Sequence, residues 1–281
     1  MNFHKAPVNN VSEVTINVSD LQKSLDFYQE VIGFKVISQI GNEAELSADG
    51  KTTLLRLVRP SNPMNQHRTS GLYHFAILLP KRSDLAAFLR HLSTKDIRLG
   101  ASDHAVSEAL YLDDPDGNGI EVYRDRAPEE WSWDDGQVHM VTEPLNVQEV
   151  LKTETGEPFN GLPEDTVMGH VHLHVANIEE AVHFYTKGLG LDMILRFGPQ
   201  AAFLGFDNYH HHIAVNVWNG VGAPKPDKNS TGLNYYVMKY HTAEAVEKTV
   251  ENLRELGYEV EETSEGYFSE DPSGNRVLIS E

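Results

Sequence analysis

The chain has 281 residues, a formal net charge of −19 at pH 7 and no cysteine. Its length allows two domains, each with a core of its own. The lack of cysteine excludes disulfides, thiolate metal sites and cysteine nucleophiles, which leaves His, Asp and Glu as metal ligands. The strong negative charge disfavours nucleic acid and anionic membranes as partners.

Neither membrane insertion nor export is indicated by the sequence. The longest apolar stretch, residues 75–79, is far too short to cross a bilayer. The first ten residues lack the apolar core of a secretory signal. We therefore expect a cytoplasmic protein.

The first predicted elements lie in residues 11–34, which combine an alternating strand, a polar turn and an amphipathic helix ending at Gly33. The same pattern returns 157 residues later, in residues 168–191, where the helix ends at Gly190. Both helices carry a Phe-Tyr pair at the same offset. A repeat of this length indicates that one structural unit has been duplicated.

A second pattern follows each copy of the first. Residues 70–80 resemble residues 231–240, and helical patterns follow at 84–91 and 243–256. Each helix leads to an Asp-Pro-x-Gly-Asn sequence between two strand-like runs, which is typical of a β-hairpin.

These patterns predict an α+β fold of four βαβββ modules that form two barrel-like sheets. The modules cover residues 8–60, 70–125, 166–220 and 230–281. The first two make an N-terminal pair, 8–125, and the last two a C-terminal pair, 166–281. Residues 126–165 are less regular and are predicted to be a linker with a short helix near 147–151.

The module copies differ where a metal could be bound. At three corresponding positions, modules 2 and 3 have His74, Glu121 and His170, whereas modules 4 and 1 have Tyr235, Leu278 and Glu13. Two neutral imidazoles and one carboxylate on one face leave positions open for substrate and oxygen, a set that suits Fe(II). Only modules 2 and 3 together supply the set, so we expect them to pair and modules 1 and 4 to form a barrel without metal.

Residues 104–121 resemble the signature of the type I extradiol ring-cleaving dioxygenases, a branch of the vicinal oxygen chelate superfamily. In this stretch a histidine precedes a Leu-Tyr pair, an Asp-Pro pair, a glycine and a closing glutamate. Ser102 is a small departure, because the usual pattern has Gly, Asn, Thr or an aliphatic residue there. The modules extend the likeness over nearly the whole chain, which is similar to bacterial catechol-2,3-dioxygenase-like proteins of about this length.

The resemblance implies a metal site in which Glu121, His74 and His170 are the ligands. It also implies Fe(II) as the cofactor, although manganese or another divalent metal is compatible with the same ligands. The expected partners are a small aromatic diol and O2, and homo-oligomers are common for such folds.

The resemblance further implies that His104 and Tyr111 contact the substrate or the ring-opening intermediate. Residues 209–215 resemble the strand that bears the acid–base histidine of the family, which assigns this role to His211. Histidine suits both proton acceptance and proton donation near pH 7. The family usually has its site in the C-terminal module pair, whereas here the signature lies in the N-terminal half.

Several residues near these positions allow alternatives. His172 and His174 alternate with His170, so one of them could be the ligand instead. His210 and His212 are interpreted as flanking strand residues, although His212 could line the pocket. We expect the three tryptophans to serve in packing and the acidic residues of 113–116 to shape a turn.

Two rival functions remain open at this point. A glyoxalase-type isomerase or a thiol transferase would use a similar site, and Glu13 could supply a fourth ligand if modules 1 and 2 paired. A metal-free, ligand-sequestering binding protein would not need the two histidines and the glutamate, and their presence argues against it.

Overall fold

The computed structural model describes residues 2–65 and 68–281. Module 1 contains β1 (Asn10–Asn17), α1 (Leu21–Phe27), β2 (Lys35–Ile40), β3 (Glu43–Ser47) and β4 (Leu55–Val58). Module 2 contains β5 (Gly71–Leu78), α2 (Arg82–Leu92), β6 (Gly100–Asp103), β7 (Ser107–Asp113) and β8 (Gly119–Asp125). Each is a βαβββ unit, as predicted.

The segment between the halves contains β9 (Trp133–Asp134), β10 (Gln137–Val138), β11 (Glu143–Pro144) and α3 (Val147–Leu151). A 3-10 turn, Pro128–Glu130, precedes them. α3 confirms the short helix that the sequence predicts near residues 147–151. β11 pairs with β6 at the edge of module 2, so part of the segment belongs to a sheet.

The second half repeats the order of the first. Module 3 contains β12 (Val167–His174), α4 (Ile178–His183), β13 (Asp192–Phe197), β14 (Ala201–Gly205) and β15 (Ile213–Asn216). Module 4 contains β16 (Gly232–Lys239), α5 (Ala243–Glu255), β17 (Glu261–Thr263), β18 (Gly266–Glu270) and β19 (Arg276–Ser280). The α+β fold of four modules is therefore confirmed.

Each large sheet combines one module from each half of the chain. In the described residues, an eight-stranded sheet has the order β17-β18-β19-β16-β1-β4-β3-β2, and a nine-stranded sheet has the order β11-β6-β7-β8-β5-β12-β15-β14-β13. The modules meet through the antiparallel pairs β1–β16 and β5–β12. Modules 2 and 3 thus share one sheet and modules 1 and 4 the other, which is the pairing that the ligand positions predict.

The sequential modules are joined by side chains from the two helices that share the Phe-Tyr pair. Asp20 begins α1 by accepting a hydrogen bond from Lys23 N, and the helix continues into a single π-helical turn. That turn directs Tyr28 inwards, where its hydroxyl donates to Asp114 Oδ2 of module 2 at 2.9 Å. In the second half, Tyr185 donates to Asp271 Oδ2 at 3.0 Å. The repeat therefore preserves a buried hydrogen bond between neighbouring modules.

The acidic turn of module 2 is built around Asp114. Its Oδ1 accepts from the backbone N–H groups of Asp116 and Asn118, at 2.8 and 2.9 Å. Asp116 in turn accepts from Ser19 N at 2.8 Å. These bonds confirm that the acidic residues shape the turn.

The two sheets share one apolar core. The main buried cluster draws on all four modules, for example through Val14, Phe75, Val171 and Tyr236. No helix of residues 2–65 and 68–281 combines the length and the apolarity that a bilayer span requires.

The tyrosine–aspartate bond leads to a stability prediction. Tyr28→Phe removes the hydroxyl donor and leaves Asp114 buried with one partner fewer, so the free energy of unfolding should fall by about 1–2 kcal/mol. Urea denaturation of the metal-free protein measures the change. The half-buried Tyr267 is the control, and Tyr267→Phe should change stability by less than about 0.5 kcal/mol. Equal effects of the two substitutions would contradict the assignment.

Candidate metal centre

Three neighbouring strands at the middle of the nine-stranded sheet bring the predicted ligands together. Glu121 of β8 is paired with Ala76 of β5, and Ala76 is paired with His170 of β12. His74 precedes Ala76 by two residues and therefore lies on the same face of β5. Because Ala76 has only a methyl group, the space between Glu121 and His170 is left open.

Two register shifts in the β5–β12 pair help to aim these side chains. One extra residue, Gly169, is inserted in β12 directly before His170, and another, Tyr73, is inserted in β5 directly before His74. Such bulges bend a strand locally and redirect its side chains. At Gly169 the Tyr123 hydroxyl occupies the position that a Cβ atom would need, so this position requires glycine.

The three ligand atoms form a nearly equilateral triangle. His74 Nε2 and His170 Nε2 each lie 3.1 Å from Glu121 Oε2, and the two nitrogens are 3.3 Å apart. All three residues are buried. Adjacent ligands of an octahedral ion with bonds of about 2.1 Å are about 3.0 Å apart. The donor set therefore fits one divalent metal ion.

The electrostatics of the triangle favour a cation. Burial lowers the pKa of His170 to about 4, so the imidazole is neutral at pH 7 and has a lone pair for a metal. Burial alone would raise the pKa of Glu121, but His170 and His74 hold it well below its usual range. An ionised carboxylate and a neutral imidazole thus face the same point in a buried site.

A pocket of about 280 Å³ opens beside the triangle. This volume is at the lower end of the range for small-molecule sites, about 300–1,000 Å³, and so favours a small ligand. Five of the six predicted site residues line it: His74, Glu121, His104, Tyr111 and His211. The sixth, His170, is not among the lining residues and is only 1% exposed.

His104 and Tyr111 form a hydrogen-bonded pair at the pocket wall. His104 Nδ1 donates to the Val141 carbonyl at 2.7 Å, and the Tyr111 hydroxyl donates to His104 Nε2 at 2.7 Å. This assignment follows because a carbonyl can only accept, so Nδ1 is the nitrogen that carries a proton and Nε2 is left to accept from the hydroxyl. Burial, reinforced by the charge of Glu121, raises the pKa of Tyr111 well above its ordinary value. Tyr111 therefore stays protonated.

His211 lines the pocket and contacts one of the proposed ligands, His170. Its ring centroid is 4.0 Å from that of His170 and 5.0 Å from that of Phe203. Burial, together with the neighbouring imidazoles, lowers the pKa of His211 well below its ordinary value. The ring is therefore neutral at pH 7.

The other histidines near the site lie outside the triangle. His210 and His212, interpreted above as strand residues, lie instead in the loop before β15, which begins at Ile213. His172 lies against His74, with ring centroids 5.0 Å apart, and lines the pocket. His174 Nδ1 donates to Asn216 Oδ1 at 2.7 Å. His212 Nε2 donates to the Phe3 carbonyl at 3.0 Å, so this ring faces the N-terminal segment. Of the three alternating histidines of β12, His170 alone joins the cluster of potential metal ligands.

Several pocket residues are not predicted by the sequence. Trp218 packs against Tyr73, as expected, but it is also 46% exposed and lines the pocket, which the sequence does not predict. Trp133 is 39% exposed, whereas Trp131 is buried and stacks on Phe3. The predicted linker also contributes pocket residues: Met140, Val141 and Thr142.

The corresponding position in the eight-stranded sheet is occupied by an ion pair. Arg56 Nε donates to Glu13 Oε1 at 3.1 Å, and Arg56 Nη1 donates to Glu45 Oε1 at 2.5 Å. A guanidinium group thus neutralises Glu13. Because Glu13 lies in a different sheet from His74, the arrangement in which Glu13 becomes a fourth ligand is not formed.

Comparisons with known proteins agree with this geometry. The Glyoxalase/Bleomycin resistance protein/Dioxygenase superfamily model matches residues 10–122 and 167–279, one match in each half. The chain belongs to this superfamily. A catechol-2,3-dioxygenase from Bacillus subtilis (strain 168) is 42% identical over 263 residues, which cover 92% of each chain.

Solved structures of the superfamily share the fold at low sequence identity. One is a Bacillus subtilis protein provisionally described as a dioxygenase, with a TM-score of 0.63 and 13% identity over 96% of this chain and 84% of that one. Another is glyoxalase I from Zea mays, with a TM-score of 0.59 and 17% identity over 96% and 92%. At these identities the likeness supports the fold alone.

The triangle leads to a prediction about metal content. After anaerobic loading with Fe(II), the protein should hold about one ion per chain, and Glu121→Gln should weaken metal binding by at least about 100-fold because a charged ligand is lost. Elemental analysis and metal titration measure the effect. Glu13→Gln makes the same chemical change where Arg56 already supplies the cation, so its metal content should stay unchanged. A clear loss of metal in Glu13→Gln would overturn this assignment.

Proposed function

We propose that this protein is an extradiol dioxygenase, which opens a catechol-type aromatic ring with O2 at an Fe(II) ion held by His74, Glu121 and His170. The observation that carries the proposal is the triangle of two imidazoles and one carboxylate beneath a small pocket. The 42% identity to a catechol-2,3-dioxygenase over 92% of the chain supports the same reaction. Manganese or another divalent metal would fit the same ligands.

The metal and the protein have separate tasks in this proposal. When bound, Fe(II) would supply coordination positions for the two diol oxygens and for O2, as well as redox chemistry that amino-acid side chains lack. Three protein ligands on one face would leave those positions free. The protein orients the diol, excludes water and moves protons.

We assign the proton transfers to His211. Its ring lies beside His170 and lines the pocket, so a diol hydroxyl in the pocket is within its reach. Because the ring is neutral, it can accept a hydroxyl proton and later return one to a product oxygen. The lowered pKa keeps the ring in the neutral form that accepts a proton, and the imidazolium that results would return the proton readily.

We assign substrate binding to His104 and Tyr111. The Val141 carbonyl fixes the orientation of His104, and His104 in turn holds the Tyr111 hydroxyl. Since Tyr111 remains protonated, its hydroxyl can turn from His104 Nε2 and donate its hydrogen bond to an oxygen that becomes negative during the reaction.

The pocket wall favours an uncharged diol with an apolar substituent. Beside the ligands and their polar neighbours, the pocket is lined by large apolar side chains: Met140, Leu195, Phe197, Phe203 and Trp218. Among the described residues that line the pocket, none is Lys or Arg. A carboxylate on the substrate would therefore lose its hydration without gaining a partner.

A direct test is oxygen consumption by the Fe(II)-loaded protein with catechol, together with the yellow colour of the ring-fission product. His211→Ala should retain about one iron per chain and lower kcat by about 10²–10⁴-fold, because general acid–base catalysis contributes that much. Absence of oxygen uptake by the wild type would refute the function. Near-normal kcat in His211→Ala would refute only the role of this residue. Isomerisation of a glutathione hemithioacetal without oxygen uptake would favour the glyoxalase-type alternative.

The wall leads to a prediction about substrate charge. The ratio kcat/KM for 4-methylcatechol should exceed that for 3,4-dihydroxybenzoate by at least about 100-fold, because burying an unpaired carboxylate is costly. Phe197 lines the pocket and is 55% exposed, so an arginine at this position could pair with a substrate carboxylate. Phe197→Arg should therefore reduce the ratio between the two substrates. Phe197→Leu is the apolar control and should leave the ratio unchanged. Equal use of both substrates by the wild type would contradict the proposed selectivity.

A further inference from the structure

His211 is hydrogen-bonded to a buried histidine, His210, which is in turn hydrogen-bonded to the carboxylate of Asp125. The ring-cleavage proposal uses neither of these two partners. His211 Nδ1 lies 2.9 Å from His210 Nδ1, and His210 Nε2 lies 2.8 Å from Asp125 Oδ1. His210 is fully buried. The three residues form a chain that ends at the pocket.

The direction of each hydrogen bond follows from the acceptor at the far end. The Asp125 carboxylate only accepts, and its Oδ2 also accepts from the Tyr209 hydroxyl at 3.0 Å. His210 Nε2 therefore donates to this carboxylate, and a ring with one proton then has His210 Nδ1 as an acceptor. His211 Nδ1 then carries a proton and donates it, so the lone pair of His211 is on Nε2.

The other nitrogen of His211 is available to a ligand. Within residues 2–65 and 68–281, the structure gives His211 no protein hydrogen-bond partner besides His210. The ring lines the pocket, and its Nδ1 edge is held against His210. Nε2 is thus the nitrogen that a diol hydroxyl can reach.

We propose that His210 and Asp125 are positioning residues, which hold His211 in the one tautomer that presents a lone pair to the pocket. The inference rests on the proposed role of His211 in ring cleavage. Histidine changes its tautomer readily when neither nitrogen is fixed, and a base with its proton on the wrong nitrogen cannot accept another from substrate.

The surroundings of His210 hold this arrangement in place. The Tyr209 ring lies against His210, with centroids 4.1 Å apart, and Trp131 lies on another side at 5.3 Å. Phe3 of the N-terminal segment stacks on Trp131 and covers this cluster. Asp125 ends β8, the strand that also carries Glu121. One strand therefore positions both a metal ligand and the anchor of the hydrogen-bonded chain.

A matched pair of substitutions tests the proposal in the full-length, Fe(II)-loaded protein. His210→Phe keeps the ring volume but removes the acceptor, whereas His210→Asn keeps an acceptor oxygen close to the Nδ1 position. We expect His210→Phe to retain about one iron per chain and a KM for catechol within about threefold of the wild type, with kcat at least about 100-fold lower. His210→Asn should recover kcat to within about tenfold of the wild type.

Two outcomes of the kinetics would overturn the proposal. One is a kcat within threefold of the wild type in His210→Phe, and the other is equal kcat values in the Phe and Asn variants. A purely structural role predicts the second outcome, because both substitutions remove the bond to Asp125. If His210→Phe does not fold, Asp125→Asn replaces it and should lower kcat at unchanged iron content; an unchanged kcat would again overturn the proposal.

A second measurement does not depend on turnover. Nitrogen-15 NMR of metal-free protein labelled at histidine reports which ring nitrogen carries the proton, and the His211 signals are those missing from His211→Ala. The wild type should show His211 protonated at Nδ1, and His210→Phe should shift the proton to Nε2. Protonation at Nε2 in the wild type would overturn the proposal. Failure of the ring-cleavage function itself would appear separately, as absent oxygen uptake by the wild type.

Discussion

The antiparallel pairing of β5 with β12 is the contact on which the site depends. It joins a strand of module 2 to a strand of module 3, and it places His170 opposite Ala76 and His172 opposite His74. A shift of this register by one residue would turn the histidines to the other face of the sheet. The bulges at Gly169 and Tyr73 interrupt the regular alternation, so both strands direct side chains into one pocket. The ligand cluster is therefore a property of the pairing between modules and not of any single module.

The fold and the ligand cluster could be predicted from the sequence because both leave a periodic signal. The repeat aligns the copies at a spacing of 157 residues, which becomes 161 at His74 and Tyr235. The alignment reveals where two histidines and a glutamate stand in place of other side chains. The pairing of modules 2 and 3 then follows, since no other pair contains the whole set. The short helix Val147–Leu151 is likewise a local pattern. Local periodicity and the comparison between module copies are thus the two signals that made the fold and the ligand cluster predictable.

Contacts between distant, irregular segments could not be predicted in this way. Val141 reaches His104 from the segment between the halves, and Trp218 lies at the pocket wall beyond the end of β15. His210 looks like any flanking residue until Asp125, on a strand of another module, is seen beside it. The sequence likewise does not identify Arg56 as the partner of Glu13. In each case the partner is set by tertiary packing and has no fixed spacing along the chain.

The crossed arrangement of modules also bears on synthesis of the protein by the ribosome. β1 ends at Asn17, whereas its antiparallel partner β16 begins at Gly232, so the nascent first module has to wait for most of the chain before its sheet can close. During that interval β1 and β5 each present an unpaired edge, which is the kind of surface that binds chaperones or another nascent chain. A gene truncated between the halves would encode two such edges permanently. Its product would lack His170 and could not complete the ligand set, and its two open edges would favour association with a second copy of itself.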